Sequence, residues 1–570
     1  MTDLDVVVLF IYMGGLLAIG AIFVYRTRSS QEMFAAGGRA PWWMAGLSTF
    51  MTVFTAGTFV VWGGIAYRLG MVSVSILVGA GGISALTVGY FLAGRWHRLG
   101  VTTPAEYINL RFGQTTVQTY TWLNLVSGCT GMAVGLYSLS VMVAAMIPLA
   151  PGHPLADPAT GALAVHWAIV IGGGVVVAYT MAGGLWAVLT TDVVQCVVLS
   201  LVVLLVVPLS LAKAGGLGNF ISQSPEGFLS PVGGEYTWTF LLFWTLINIC
   251  SHGGQWTYVQ RFVCVPTEKD ARKVAYLAGA LYLVCPIVWM LPAMVYRVME
   301  PGVPHEQAYI LVCRDVLPAG MLGMTLAAMF SATASTMSSL LNVFAGVFTL
   351  DVYRPLVRPQ ASELHLVIVG RTATVVYGGL AITLALCMPH LGGAEKVVLS
   401  LVTLVIGPML IPSLWGLFSP RIDQYSVWAT VGVTAVVAGG IKLLLAQGLL
   451  TDFALIGWIA DHGQLSDAVV GLLVPITVML IMELCARETS SGWQRLTDHA
   501  ARQQQLPVAR STSTRPAMIV AWTVWMLAAL TAVLAIRAAE KAGVLFIFAT
   551  LLLAAGVGIA WLAHRHAPRD

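Results

Sequence analysis

Charge is what this chain has least of. Of its 570 residues only 9 % are Asp, Glu, Lys or Arg, and 58 % are hydrophobic; a soluble domain carries about 25 % charged residues. So few charges cannot cover a water-facing surface, so the composition excludes a soluble globular protein and predicts a polytopic membrane protein. The net charge of +4 is spread over loops, with no basic patch suited to nucleic acid. Cysteine is scarce as well. The eight cysteines, at 129, 196, 250, 264, 285, 313, 387 and 485, lie in apolar stretches without C-x-x-C spacing. They read as small buried hydrophobes, not as a disulfide framework or a metal site. No nucleotide-binding loop, G-x-S-x-G or H-E-x-x-H occurs, so ATP, an organic cofactor and hydrolytic chemistry are all unexpected.

What is there is a series of apolar runs long enough to cross a bilayer. About fifteen are readable, near 4–25, 42–66, 71–96, 116–149, 164–182, 185–212, 236–259, 273–299, 319–352, 365–389, 395–418, 425–447, 466–486, 516–537 and 541–564. The first follows Asp3 and Asp5 instead of a basic n-region, which predicts a retained helix and not a signal peptide. Arg26, Arg28, Arg95, Arg98, Arg261, Lys269, Arg272, Lys273, Arg354, Arg358, Arg371 and Arg421 fall on one side of this topology. The loops at 151–163 and 214–235 on the other side contain no Lys or Arg. The positive-inside rule then puts the N-terminus outside and the C-terminus in the cytoplasm, in a plasma (inner) membrane.

Inside the run at 319–352 lies Ser331-Ala332-Thr333-Ala334-Ser335-Thr336-Met337-Ser338-Ser339. The hydroxyls at 335, 336, 338 and 339 are spaced to share one helical face. In hydrocarbon such a face is costly unless its oxygens are used. A partly dehydrated cation would use them; so would bonds back to the preceding turn or to a neighbouring helix. Asp192 poses the same question. A carboxylate in an apolar segment wants a cation, an Arg, or hydration near the cytoplasmic end.

Three separated segments together resemble the sodium:solute symporter family, which includes carriers of sugars, proline, pantothenate and sialic acid. Gly183-Gly184-Leu185-Trp186-Ala187-Val188 with Thr190-Thr191-Asp192-Val193-Val194-Gln195 is similar to its G-G-x-x-A-V-x-x-T-D-x-x-Q signature. The second is Ser331 to Ser339 continuing through Asn342 and Thr349 to Asp351-Val352-Tyr353; the third is Gln260-Arg261 after Asn248 and before Lys269-Asp270-Ala271-Arg272. Pro41-Trp42-Trp43 with Gly46 to Gly70 adds a weaker match. The resemblance spans roughly residues 5–450 and implies an all-α membrane fold of the leucine-transporter type. Ten core helices then form two inverted repeats of five, with helices broken at the midplane. The expected division is an extra N-terminal helix and loop at 1–41, the core at 42–418, two peripheral helices at 419–486, a cytoplasmic linker at 487–515, and two appended helices with a short tail at 516–570.

The resemblance also implies ligand positions. A first sodium site between the first and eighth core helices would take the carbonyls of Met51, Phe54 and Ala332 and the hydroxyls of Ser335 and Thr336. The segment 52–57, with two Thr and a Gly, permits local unwinding without proline. A second site, found in some members, falls on Asp192, Ser335, Ser338 and Ser339. For the solute, Asn248 falls where sugar carriers place a hydrogen-bonding Asn. Thr58, Leu77, Ala80 and Tyr282 depart from the galactose pattern. The third core helix has no Arg or Lys to hold a carboxylate, which disfavours a strongly anionic solute. Thr58, Trp62, Asn248, Gln255 and Tyr282 remain as candidate solute contacts, suited to a neutral polyhydroxylated or zwitterionic molecule. The expected function is sodium-driven import of a small organic solute, with sodium, solute and the bilayer as partners and neither ATP nor nucleic acid. A transporter-like sensor and an intramembrane enzyme are the rivals. The first would add a large signalling module, and the second needs a histidine base that 185–212 and 319–352 lack.

Overall fold

The computed structural model describes residues 3–24, 38–52, 54–101, 103–149, 152–179, 185–354, 357–401, 405–447, 457–459, 462–505, 515–537 and 542–565. Among them the regular elements are helical, and β-pairing is confined to isolated bridges in two loops. Nine described helices are long and apolar enough to cross a membrane unaided. Other apolar runs are delivered as two shorter helices. The run at 42–66 becomes α2 (Trp42–Met51) and α3 (Gly63–Leu69), and this bipartite helix is followed by α4 (Val72–Phe91). After α5 (Pro104–Phe112) come α6 (Gln114–Met146), α7 (Val165–Tyr179) and α8 (Leu185–Lys213). The run at 236–259 becomes α9 (Trp238–Gly254) and α10 (Trp256–Val263), then α11 (Glu268–Met299), α12 (Met321–Val347) and α13 (Glu363–Cys387). The run at 395–418 contains α14 (Gly393–Leu401) and α15 (Gly407–Trp415).

Each described break has a local cause. At the end of α2, Thr49 and Thr52 turn their hydroxyls back onto the Ala45 and Ser48 carbonyls, at 2.7 and 2.8 Å. Such bonds compete with the helical ladder. Phe54 N then bonds Met51 O and Thr58 N bonds Thr55 O, both at 2.9 Å and both one residue tighter than α-helical spacing. A π-helical turn, Thr58–Trp62, leads into α3. At the second break Gly253 and Gly254 end α9 and Gln255 is extended, with ψ 133°. A Cβ on Gly253 would lie 2.5 Å from the Leu92 side chain, so the glycine is needed for close packing as well as for the stop. Beneath the first break an aromatic stack fills the interior. Phe50–Tyr282, Phe54–Trp289 and Phe59–Tyr309 have centroids 4.7, 4.8 and 4.1 Å apart.

The elements outside this core are fastened to it. Asp5, on α1 (Asp3–Val24), accepts from the Gly320 and Gly323 amides at 2.8 and 2.9 Å, so its carboxylate caps the N-terminus of α12. α16 (Gln424–Ala446) and α17 (Gly463–Cys485) pack together, joined by Lys442–Asp467 at 2.7 Å. The stretch expected as a linker contains an amphipathic helix, α18 (Ser491–Gln504), docked on α5. The buried Arg111 of α5 donates to Gly416 O, Ser419 O and Ser490 Oγ at 3.1, 2.8 and 2.7 Å and lies over the Trp493 ring. α19 (Arg515–Arg537) and α20 (Ala542–Arg565) pair with each other and pack on α8.

Candidate functional site

The site is built where the break in the first core helix meets α12. Thr333 Oγ1 accepts from the Ala56 amide at 3.0 Å while donating to Met329 O at 2.9 Å. A hydroxyl of α12 thus satisfies an amide freed by the unwinding and fixes the break against this helix. One turn on, Thr336 Oγ1 and Ala332 O are 3.1 Å apart and bonded, which places two of the expected sodium ligands together. Ser335 and Ser338 are half-buried on the same helix, and Ser338 Oγ donates to Ser335 O at 3.0 Å. The Ser335 hydroxyl has no hydrogen bond among the described residues. Ser339 lies on α12 with its side chain outside the described residues. Across the interface Met51 and Phe54 are buried. The Met51 carbonyl accepts one amide and keeps a second lone pair.

Asp192 is held differently from the ligand set drawn for it. It is buried on α8; Ser48 of α2 donates to its Oδ2 at 2.6 Å, and Arg261 Nη2 of α10 lies 3.8 Å away. Arg261 Nε also reaches Ser48 Oγ at 3.3 Å. Three core elements therefore close on one buried ion pair, and among the described residues Asp192 is bonded to Ser48 and paired with Arg261, not with the α12 serines. The same α8 segment reaches α12 through Gln195 Nε2, which donates to Ser331 Oγ at 2.8 Å. Gly183 and Gly184 of the signature lie outside the described residues.

The candidate solute residues divide. Tyr282 is buried, donates to Phe50 O at 3.0 Å and covers Gly81, where a Cβ would meet its ring at 2.2 Å; this is a packing role. Asn248 Nδ2 is engaged with Trp244 O at 2.8 Å. Gln255 occupies the second break and accepts weakly from Ser251 at 3.4 Å. Thr58 opens the π-helical turn and Trp62 closes it, with Trp62 edge-on to Trp244 at 6.1 Å. Two groups escaped the sequence reading. Ser138 Oγ, 3.5 Å from where a Cβ of Gly57 would stand, and Trp244 Nε1 are buried without a partner among the described residues. A serine in an apolar helix gives no sequence signal that distinguishes it from one bonded to its own backbone.

The family model described as Sodium:solute symporter family matches residues 33–431. The chain belongs to this family. It is a sodium-coupled solute symporter of the membrane, and not an enzyme. Among its relatives, the sodium/sialic acid symporter NanT of Aliivibrio fischeri is 27 % identical over 461 residues, which cover 76 % of this chain and 86 % of that protein. The sodium/glucose cotransporter of Vibrio parahaemolyticus is 25 % identical over 472 residues, covering 76 % and 83 %. The fold is similar to the substrate-bound, outward-open structure of a Na+-coupled sialic acid symporter, with a TM-score of 0.67 at 22 % identity over 86 % of this chain and 99 % of that one.

Proposed function

We propose that this symporter imports a small neutral polyhydroxylated or zwitterionic solute by alternating access, coupled to two sodium ions. The observation that carries the reading is the Ala56–Thr333 bond. It holds the unwound segment of the first core helix, with its carbonyls at 51 and 54, against the hydroxyl-bearing face of α12. Hard cations favour such oxygen donors, and a break at the midplane is where coupling ions bind in transporters of this architecture. The first site comprises Met51, Phe54, Ala332, Ser335 and Thr336. Asp192, Ser335, Ser338 and Ser339 form the second. The solute lies near Thr58, Trp62, Asn248 and Gln255. Tyr282 supports the break from behind. The cationless α6 favours a solute without a strong negative charge. The basic loops support a cytoplasmic C-terminus and an outer N-terminus in the inner membrane.

A specific observation favours a second stoichiometry. Asp192 already has Arg261 as a counterion, and a carboxylate so paired need not take sodium. Under that reading one ion drives transport and the ion pair closes the inner side. Solute-dependent charge movement in proteoliposomes, divided by solute flux, separates two charges per solute from one. A thermal-shift panel of sugars, polyols, amino acids and sugar acids, each with sodium and with potassium, identifies the solute class. A sodium-dependent shift confined to acidic solutes would overturn the neutral or zwitterionic assignment. Asn248→Ala is expected to lower solute affinity while direct sodium binding persists. A lowered melting temperature with unchanged solute affinity would reduce Asn248 to the helical role that its bond to Trp244 O already shows.

A further inference from the structure

α7 and α13 cross with two glycine pairs at their contact, Gly173-Gly174 and Gly378-Gly379. One glycine of each pair is buried in the crossing. A Cβ on Gly173 would stand 2.6 Å from Ile382, and one on Gly378 2.3 Å from Val177, so neither tolerates a side chain. The other two face outward, and a Cβ on Gly174 or Gly379 would meet nothing within 4 Å. The backbones approach closely and leave a groove of about 500 Å³ lined by Gly174, Val177, Arg371, Val375, Gly379 and Ile382. Its surroundings are hydrocarbon-facing: Ile171, Val175, Val376 and Leu380 are 51, 52, 53 and 48 % exposed.

One charge interrupts this face. Arg371 is exposed, stands about two turns into α13, roughly 12 Å along its axis, and makes no ion pair or hydrogen bond among the described residues. A guanidinium on a lipid-facing helix wall is costly unless it reaches an anion. Its planar fork matches a phosphate better than any other common headgroup group. From Arg371 the groove runs to Ile382, about 16 Å along the helix, which is the length of much of one acyl chain.

We infer that this groove binds one anionic phospholipid, its phosphate held by Arg371 and one acyl chain lying over Gly174 and Gly379. The choice of an anionic lipid follows from the charge balance. A cation with no carboxylate partner among the described residues complements a net negative headgroup, whereas a zwitterionic one brings an ammonium that no described carboxylate meets. The site lies outside the region assigned to sodium and solute and does not depend on that assignment. It would brace α13, which packs on α12, against α7.

Native mass spectrometry of the purified full-length symporter, with equal phosphatidylglycerol and phosphatidylethanolamine, tests the inference. Wild type is expected to retain phosphatidylglycerol preferentially, and phosphatidylglycerol to raise its melting temperature more than phosphatidylethanolamine does. Arg371→Gln should abolish both preferences, while Arg358→Gln, at another exposed arginine, should keep them. Gly379→Leu fills the groove at a position where a side chain meets nothing, so it should lose the retained lipid and leave sodium-dependent uptake intact. Inorganic phosphate should neither compete nor stabilise, because it brings no chain for the groove. Equal retention of the two lipids by wild type, or unchanged selectivity in Arg371→Gln, would overturn the proposal. So would a dimer mass lost in Gly379→Leu, which would assign the face to a second copy of the chain.

Discussion

Ser335 and Thr336 sit on the same turn of α12, yet they differ in what their oxygens do. Thr336 bonds the carbonyl one turn back, while the Ser335 hydroxyl has no hydrogen bond among the described residues. An ion needs lone pairs, and both hydroxyls retain them. Ser335→Ala and Thr336→Ala are each expected to raise the half-saturating sodium concentration about tenfold, since a bond to a charged group is worth about 1.5–3 kcal/mol. Sodium titrations of uptake, read beside melting temperature, check this, and wild-type half-saturation in both variants contradicts it. Asp192 and Arg261 call for a different test. Removing one partner of a buried pair costs about 3–5 kcal/mol because the other charge is stranded. Asp192→Asn should therefore lower stability sharply, and adding Arg261→Gln should restore much of it if the pair is structural. Restored stability with lost sodium coupling would show that Asp192 serves both the pair and the ion. Restored stability with intact coupling removes the second sodium site.

At the scale of elements, helix ends matter more than helix interiors. The two described breaks arise from Thr hydroxyls turned onto carbonyls in one case and from a glycine pair in the other. The first was legible in the sequence as Thr and Gly clustered at 52–57. The second was not, because a Gly-Gly within an apolar run is equally compatible with a close helix crossing, as at 173–174. α18 shows a different limit. Its low hydropathy reads as linker, but one face closes over Arg111, and the Gly492 site admits no Cβ because Arg111 O would lie 1.8 Å away. Residues past 487, which the sequence reading places outside the ten core helices, carry this clasp. Arg111→Met is expected to lower the melting temperature by several degrees, because it withdraws the donors from the Gly416 and Ser419 carbonyls and from Ser490 Oγ. Truncation at 487 should do at least as much. Thermal denaturation of both variants decides, and unchanged melting would make α18 an ornament on the core.

For the whole molecule, coupling follows from geometry. The break carries the two proposed sodium carbonyls, at Met51 and Phe54, and leads into the turn bearing Thr58 and Trp62. An ion that orders the first orders the second. Sodium should therefore raise solute affinity, and solute should raise sodium affinity by the same factor. Calorimetry in sodium and in potassium measures both, and equal solute affinity in the two salts contradicts the arrangement. The core helices are also tied to one another near their ends. Arg68 after the first break pairs with Glu395 on α14, Tyr236 before α9 donates to the same carboxylate at 2.6 Å, and Tyr137 of α6 donates to Glu306 at 2.7 Å. Nearby Glu235 is pushed above the usual carboxylate range by burial and by the Glu395 charge.

By itself the sequence determined the class of the molecule, its family resemblance and the oxygen-rich face of α12. Apolar run length, hydroxyl spacing and motif order are properties of the chain, and hydrocarbon permits few answers to them. Only the tertiary structure decided what each polar group spends its hydrogen bonds on. Asp192 and Arg261 were both visible as charges, but that they share Ser48 depends on three helices converging. Asn248 and Tyr282 had the chemistry of solute contacts, yet their donors go to Trp244 O and Phe50 O. Ser138 and Trp244 were unremarked in the sequence and carry buried polar groups without a partner among the described residues. A hydrogen bond has a partner and an angle, and partners far apart along the chain are chosen by packing, which no local pattern encodes.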